Sequence, residues 1–442
     1  MAAEFMKLPS YAKLSVFAGR WSSRVVSGVI DQGLFSGSNF LVNILLARWL
    51  TPDGYGAFAI AFSLYLGLAG LVCSLTLEPM MVYGATDFSD KIDDYLAKVS
   101  FMHFFISGVP AGGLLVIAYF FKGETSNTIR VAACALPFML QVWFVRRALY
   151  CTMRITQAAV VSLLYSVLLV GGISFLKAAG LISPIYIYVI FVLASLSCFM
   201  YYRVVVAVNP GASADGSNSV KMIIDRHWNF GKWLIVASAA ASVSTLLYAP
   251  VLGLVSELKD VAAYKGIQNL STPFGQMLTV FTMLMLPGMS RVVRNDPWKR
   301  VRKYIWGITI GFALAALLYG AVLILFGEQI LMLLYANKFY AEYCWLIPVF
   351  AFVLVIRSIN QSLATIIRAY EDTRTILIAK ISSALVVFSV LIIFVPIMNL
   401  RGILLAMCLG VLTELCIVVR FFFRISYGNR AEGRGEDVVD CV

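Results

Sequence analysis

The chain is punctuated by apolar runs of about 20 residues, each long enough to cross the roughly 30 Å hydrocarbon core of a bilayer as a helix. Breaks at charged residues and at Gly or Pro turns place these runs at 26–46, 57–78, 99–121, 129–149, 157–176 and 184–206, then at 232–256, 265–289, 304–326, 344–367, 375–395 and 402–422. With 61% hydrophobic and 13% charged residues over 442 positions, too little polar material remains to clothe a soluble sphere. Only helices or closed barrels satisfy the backbone in lipid, and runs of this length select helices. The fold class that follows is an all-α integral membrane protein with twelve transmembrane helices.

Lys and Arg set the orientation, because they are retained on the cytoplasmic side. Of the 35 such residues, 25 fall on the side that carries both termini and 8 on the other, while Arg357 and Lys380 lie inside spans. Both ends are therefore expected in the cytoplasm. The net charge of +12 is mostly this topology: basic loops such as Arg291 to Lys303 face anionic headgroups, and no nucleic-acid partner is needed to explain them. Residues 1–25 set four basic side chains among Phe5, Tyr11, Phe17 and Trp21, which suits an amphipathic segment lying on the cytoplasmic face; a signal peptide would show a compact apolar core and a cleavage site. The polar stretch Asn209 to Asn218 marks a cytoplasmic linker at 207–231 between six-helix lobes at 26–206 and 232–424, followed by a tail at 425–442.

Several chemistries fall away at this stage. The eight cysteines lack framework spacing, and Cys73, Cys134, Cys151, Cys198, Cys408 and Cys416 sit in apolar runs as small fillers. His103 and His227 have no motif of further ligands to make a metal site with, no Walker-type loop is present for ATP, and no cofactor is expected. The sequons at Asn269 and Asn360 fall inside spans and read as chance matches.

The two halves repeat. In the first span Gln32, Ser36, Asn39 and Asn43 share one helical face, and in the seventh Ser238, Ser242 and Thr245, with Ala249 in the fourth place, keep that spacing. Gln141, Tyr150 and Arg154 correspond in the same way to Gln361, Tyr370 and Arg374. Each half has an even number of spans, so the repeat is parallel, about an axis along the membrane normal. Polar stripes of this kind either line a crevice or glue helices together through close packing and hydrogen bonds, and for the seventh span both readings stand.

The segment running from Asn43 through Arg48, Pro52, Gly54 and Gly56 to Phe58 resembles the first helix and loop of polysaccharide flippases in the multidrug/oligosaccharidyl-lipid/polysaccharide (MOP) exporter superfamily. The resemblance implies a V-shaped fold of two lobes in a bacterial cytoplasmic (inner) membrane. It also implies export of an undecaprenyl-diphosphate-linked oligosaccharide, as O-antigen flippases perform it, with other polysaccharide assembly proteins as partners. The chain departs from the lipid II flippases of the same superfamily, which carry two further C-terminal spans.

Charges inside the spans single out the candidate site. Arg357 lies about 13 positions into the tenth span, on the order of 20 Å of helical rise, near mid-membrane. With Gln361 and Arg368 it forms a cationic stripe running to the cytoplasmic end, where Arg146 and Arg147 close the fourth span. The planar fork of arginine matches the paired oxygens of phosphate, so the expected substrate contacts are Arg357, Gln361, Arg368, Arg146 and Arg147, with Gln32, Asn39 and Asn43 from the first span. The competing reading pairs Arg357 internally with Glu414 or Asp31. Asp31, Glu414 and Glu78 are the acidic residues in or beside spans and the candidates for coupling to a proton or sodium ion, although Glu78, beside Pro79 at a helix end, suits simple interfacial solvation better. Lys380, about five residues into its span, is expected to snorkel to the cytoplasm. A cation-coupled multidrug exporter would instead call for an acidic, aromatic cavity. A membrane glycosyltransferase or polymerase would call for a large extramembrane loop or an acidic catalytic motif, and neither is present, so no enzyme activity is expected.

A single cysteine introduced in the linker or in the tail should react with a membrane-impermeant maleimide in inside-out vesicles and stay unlabelled in intact cells. Labelling from outside at either place would overturn the twelve-span topology.

Overall fold

The computed structural model describes residues 10–206, 220–370 and 372–431. The expected N-terminal segment, linker and tail fall partly outside those residues. The described chain is helical throughout: α1 (Ser10–Trp49), α2 (Pro52–Ala85), α3 (Ile92–Ile117), α4 (Gly123–Met139), α5 (Gln141–Cys151), α6 (Ile155–Ala178), α7 (Pro184–Tyr201), α8 (Val220–Val243), α9 (Tyr248–Val255), α10 (Leu258–Asn295), α11 (Trp298–Tyr335), α12 (Lys338–Ala341), α13 (Ile347–Ala369), α14 (Thr373–Met398) and α15 (Leu400–Ala431). Among the described residues, ten helical segments are long and apolar enough to cross a membrane, and α8 with α9 forms an eleventh that is bent by 49°. The span expected at 265–289 is α10, a continuous helix of 38 residues. Its N-terminal part carries the polar residues Lys265, Gln268, Asn269, Ser271, Thr272 and Gln276.

The bend between α8 and α9 has a chemical cause. The hydroxyls of Ser244 and Thr245 donate to the carbonyls of Ala240 and Ala241 four residues back, at 3.1 and 2.7 Å, and compete with the ladder where Pro250 has already removed one donor. Of the seventh-span stripe Ser238, Ser242 and Thr245, only Thr245 donates from its hydroxyl at this break.

The chain divides into two compact units that do not coincide with the halves of the sequence. Unit 1 holds residues up to Asn43 and Leu68–Ile235, and unit 2 holds Ile44–Gly67 and Val236–Val442. The tip of the α1–α2 hairpin therefore belongs with the second unit, and the first part of α8, which starts at residue 220 inside the expected linker, belongs with the first.

In unit 1, α4 packs between α3 and α7, and α6 packs on α7, around the buried rings of Tyr95, Phe144, Tyr188 and Phe191. Both histidines are fully buried ties between helices. His103 on α3 meets the Thr76 hydroxyl through Nδ1 at 2.8 Å and the Leu140 carbonyl through Nε2 at 3.2 Å. His227 on α8 meets the Tyr95 hydroxyl at 2.7 Å and the Leu75 carbonyl at 3.3 Å. Gly231, one helical turn further on, lets α8 lie against the α2 backbone, where an added Cβ would stand 3.0 Å from Leu75 Cα and from the Ser74 carbonyl.

In unit 2, α13 is central, packed against α10, α11 and α15, and α14 pairs with α15. The hairpin tip is seated here by Tyr340, whose hydroxyl donates to the Ala47 carbonyl at 3.0 Å, and by Asn269, whose Nδ2 donates to the Tyr55 hydroxyl at 2.9 Å. Gly56 lies against the Leu258 carbonyl with no room for a Cβ. Gly56→Ala should therefore lower stability by about 1–3 kcal/mol, the usual cost of overpacking, read as a fall in the thermal midpoint of the detergent-solubilised protein. An unchanged midpoint would show that the hairpin tip packs elsewhere.

Candidate functional site

Unit 1 gathers its charges into a closed network. Asp31 on α1 is fully buried, and Arg146 on α5 donates to it twice, Nε to Oδ1 at 3.1 Å and Nη2 to Oδ2 at 2.6 Å. The Tyr150 hydroxyl donates to Oδ2 at 2.8 Å, and Ser162 on α6 donates to Oδ1. The same guanidinium reaches Gln32 Oε1 at 3.1 Å and stacks 3.9 Å from the centre of the Phe35 ring. A bidentate pair with its remaining lone pairs satisfied is the arrangement that makes a buried carboxylate tolerable. Arg147 pairs with Glu78 at 3.2 Å, both more than two-fifths exposed. Of the other polar residues of the first span, Gln32 donates to Ser36 at 2.8 Å, Asn39 donates to the Phe35 carbonyl at 2.7 Å and accepts from the Tyr165 hydroxyl at 3.4 Å, and Asn43 donates to the Asn39 carbonyl at 2.9 Å while its Oδ1 stays buried without a hydrogen-bond partner.

Unit 2 contains a polar cavity of about 240 Å³, lined by Arg357, Asn360 and Gln361 of α13, Lys380 of α14, Glu414 of α15 and Tyr248 of α9. That volume holds several waters, each taking roughly 30 Å³. The break between α8 and α9 contributes Ser244 and Thr245 to its wall, as irregular backbone at membrane depth requires. Lys380 and Glu414 form an ion pair at 2.6 Å. Asn360 holds α13 to α15 by donating to the Val411 carbonyl at 3.0 Å, which leaves its Oδ1 buried without a hydrogen-bond partner. Gln361 donates to the Thr282 hydroxyl at 3.3 Å. Arg357 is exposed to the cavity and, among the described residues, takes part in no ion pair.

The internal pairing of Arg357 with Glu414 or Asp31 is therefore not what the structure contains, since Lys380 takes one carboxylate and Arg146 the other. Lys380, 37% exposed, turns its ammonium to Glu414. Arg357 and Gln361 meet in one cavity as the sequence pattern places them, while Arg368 lies exposed further along the same helix and does not line it. Arg146, Arg147, Gln32, Asn39 and Asn43 belong to unit 1. Sequence reasoning missed Asn360 and Tyr248. The available signal was an amide and a phenol deep in otherwise apolar spans.

The helical order and the cavity can be set beside known proteins. No family model matches the chain, and no curated protein matches it. Solved structures do. An inward-facing multidrug resistance MATE family transporter of the MOP superfamily superposes with a TM-score of 0.71 at 14% identity, over 91% of this chain and 98% of that one. The fold is that of the MOP superfamily transporters. The lipid II flippase MurJ, in an inward closed conformation, shares the MOP fold at a TM-score of 0.65 and 14% identity, over 90% of this chain and 87% of that one. A MOP superfamily transporter from Pyrococcus furiosus, described by the reverse polarity of its binding pocket, matches at 0.60 and 16%, over 91% and 94%. At these identities the relation lies in the MOP fold, and the side chains of the cavity are this chain's own.

Removing Arg146 strands the buried Asp31 carboxylate. Arg146→Ala should destabilise the protein by about 3–5 kcal/mol, and adding Asp31→Asn should recover most of that loss, with both read by denaturant unfolding in detergent. A loss below about 1 kcal/mol for the single variant would mean that the pair is solvated and dispensable.

Proposed function

We propose that this protein is a flippase that carries a polyprenyl-diphosphate-linked oligosaccharide, a polysaccharide repeat unit of the O-antigen or exopolysaccharide kind, across the cytoplasmic membrane by alternating access. The observation that carries the reading is Arg357, an arginine deep in a span, free of any ion pair among the described residues and exposed to a polar cavity. Such a cation is costly unless the cavity is wet or an anion arrives to meet it. Its planar fork suits a phosphate, and Gln361, one turn along α13, offers an amide beside it. The polyprenyl tail stays in lipid while the headgroup trades its hydration for these donors.

The MOP fold suits this work, and one protein sharing it is a lipid II flippase. Others are multidrug transporters, and a cationic drug is the competing cargo. The cavity in unit 2 disfavours it, because Arg357 and Lys380 outnumber the single carboxylate of Glu414. A coupled proton or sodium ion returns the empty carrier, with Asp31 and Glu414 as the carboxylates in reach of that role. Membrane lipids and the enzymes that assemble and extend the sugar chain are the expected partners, and no catalytic step belongs to this chain.

The test is translocation of a fluorescent undecaprenyl-diphosphate oligosaccharide in proteoliposomes under imposed proton or sodium gradients. The native chain should move it. Arg357→Ala should fall to the protein-free background while inserting normally, and Arg357→Lys, which keeps the charge without the fork, should lose about tenfold. Undiminished transport by Arg357→Ala would remove the assignment.

A further inference from the structure

The unit 2 cavity is already occupied by an anion of its own. Lys380 Nζ stands 2.6 Å from Glu414 Oε1, with the carboxylate 14% exposed and the ammonium 37% exposed. The pair is therefore closed around the carboxylate and open at the ammonium, on a cavity wall that it shares with Arg357. A partly solvated pair of this kind is held weakly enough to change partners. The pair is also not what joins its two helices. The Ser383 hydroxyl donates to the Gly410 carbonyl at 2.9 Å, and a Cβ added at Gly402 would stand 2.9 Å from Val395 Cα, so α14 and α15 meet closely without it.

We propose that Glu414 is a stand-in anion, which holds Lys380 while the cavity is empty and yields it to a diphosphate, so that Lys380 and Arg357 then share the two phosphates between them. The inference rests on the reading of the protein as a carrier of diphosphate-linked cargo and adds a specific exchange to it. Charge supports the exchange. The empty cavity holds two cations and one carboxylate. A diphosphate joined to lipid and sugar brings one negative charge on each phosphate, which two cations match, whereas a carboxylate left in place would be a surplus charge at low dielectric. The same carboxylate competes for Lys380 on the way out. Glu414 thus limits how tightly the cargo is held, as a carrier requires if it is to release.

The test uses the full chain in lipid nanodiscs, with inorganic pyrophosphate as the probe in a calorimetric titration. Glu414→Gln should bind pyrophosphate about tenfold more tightly than the native chain, Lys380→Met about tenfold more weakly, and the double variant should bind like Lys380→Met, the gain vanishing with the ammonium it depends on. In proteoliposomes Glu414→Gln should slow turnover of the lipid-linked sugar. A Glu414→Gln variant that binds no more tightly, or one whose gain persists when Lys380 is replaced, overturns the exchange even if the lipid-linked sugar is translocated. Should Glu414→Gln fail to fold, an unchanged affinity in Lys380→Met overturns it alone. Solubilised undecaprenyl-diphosphate oligosaccharide should displace pyrophosphate. If the expected affinity changes hold but no displacement and no translocation occur, the exchange stands for a free diphosphate compound and the flippase reading falls. No pyrophosphate binding to the native chain or to Glu414→Gln overturns the proposal outright.

Discussion

The cost of a bare charge in hydrocarbon governs how this molecule arranges its polar side chains. Two carboxylates within spans are each answered by a base on another helix of the same unit: Asp31 by Arg146 and Glu414 by Lys380. The two answers differ in kind. The first is buried, bidentate and supported by Tyr150 and Ser162. The second is a single contact on a cavity wall, open on one side. Against that background Arg357 stands out because nothing in the described structure answers it, and a wet cavity is the setting in which such a cation is tolerable.

The same economy shapes the backbone. Where α8 gives way to α9, hydroxyls of Ser244 and Thr245 donate to the Ala240 and Ala241 carbonyls, and residues of this turn line the cavity. Within unit 2 the hairpin tip contributed by α1 and α2 is secured by tyrosine and asparagine side chains and by a glycine pressed on the Leu258 carbonyl. Asn269 and Asn360, which fall in glycosylation-type tripeptides, are interior ties between helices, one to Tyr55 and the other to Val411. Their amides are committed where no glycan has room.

Much of the candidate site was legible in the chain because a charge in an apolar run needs no partner to be noticed: Arg357, Asp31, Glu414 and Lys380 all declare themselves. Who meets whom was not legible. Glu414 and Lys380 are 34 positions apart and Asp31 and Arg146 are 115 apart, and helix periodicity carries no information on which faces of different helices will oppose one another. Gln32, Asn39 and Asn43 form a stripe on the helical wheel, yet each donates to its own helix one turn away, a short-range option that spacing alone does not exclude. The span at 265–289 was legible as an apolar run, but its polar contacts were not: Gln268 donates to the Tyr264 hydroxyl and Asn269 to that of Tyr55.

By itself, then, the sequence determined the membrane class, the long apolar helices and the presence of charged residues within them. These are properties of composition and local order, and the bilayer reads them one segment at a time. Tertiary structure alone decided that the units exchange segments across the halves of the chain, that Arg146 belongs to Asp31 and Lys380 to Glu414, and that Arg357 is left facing a cavity. Those outcomes depend on which helix faces meet, and that is settled by the packing of many side chains at once.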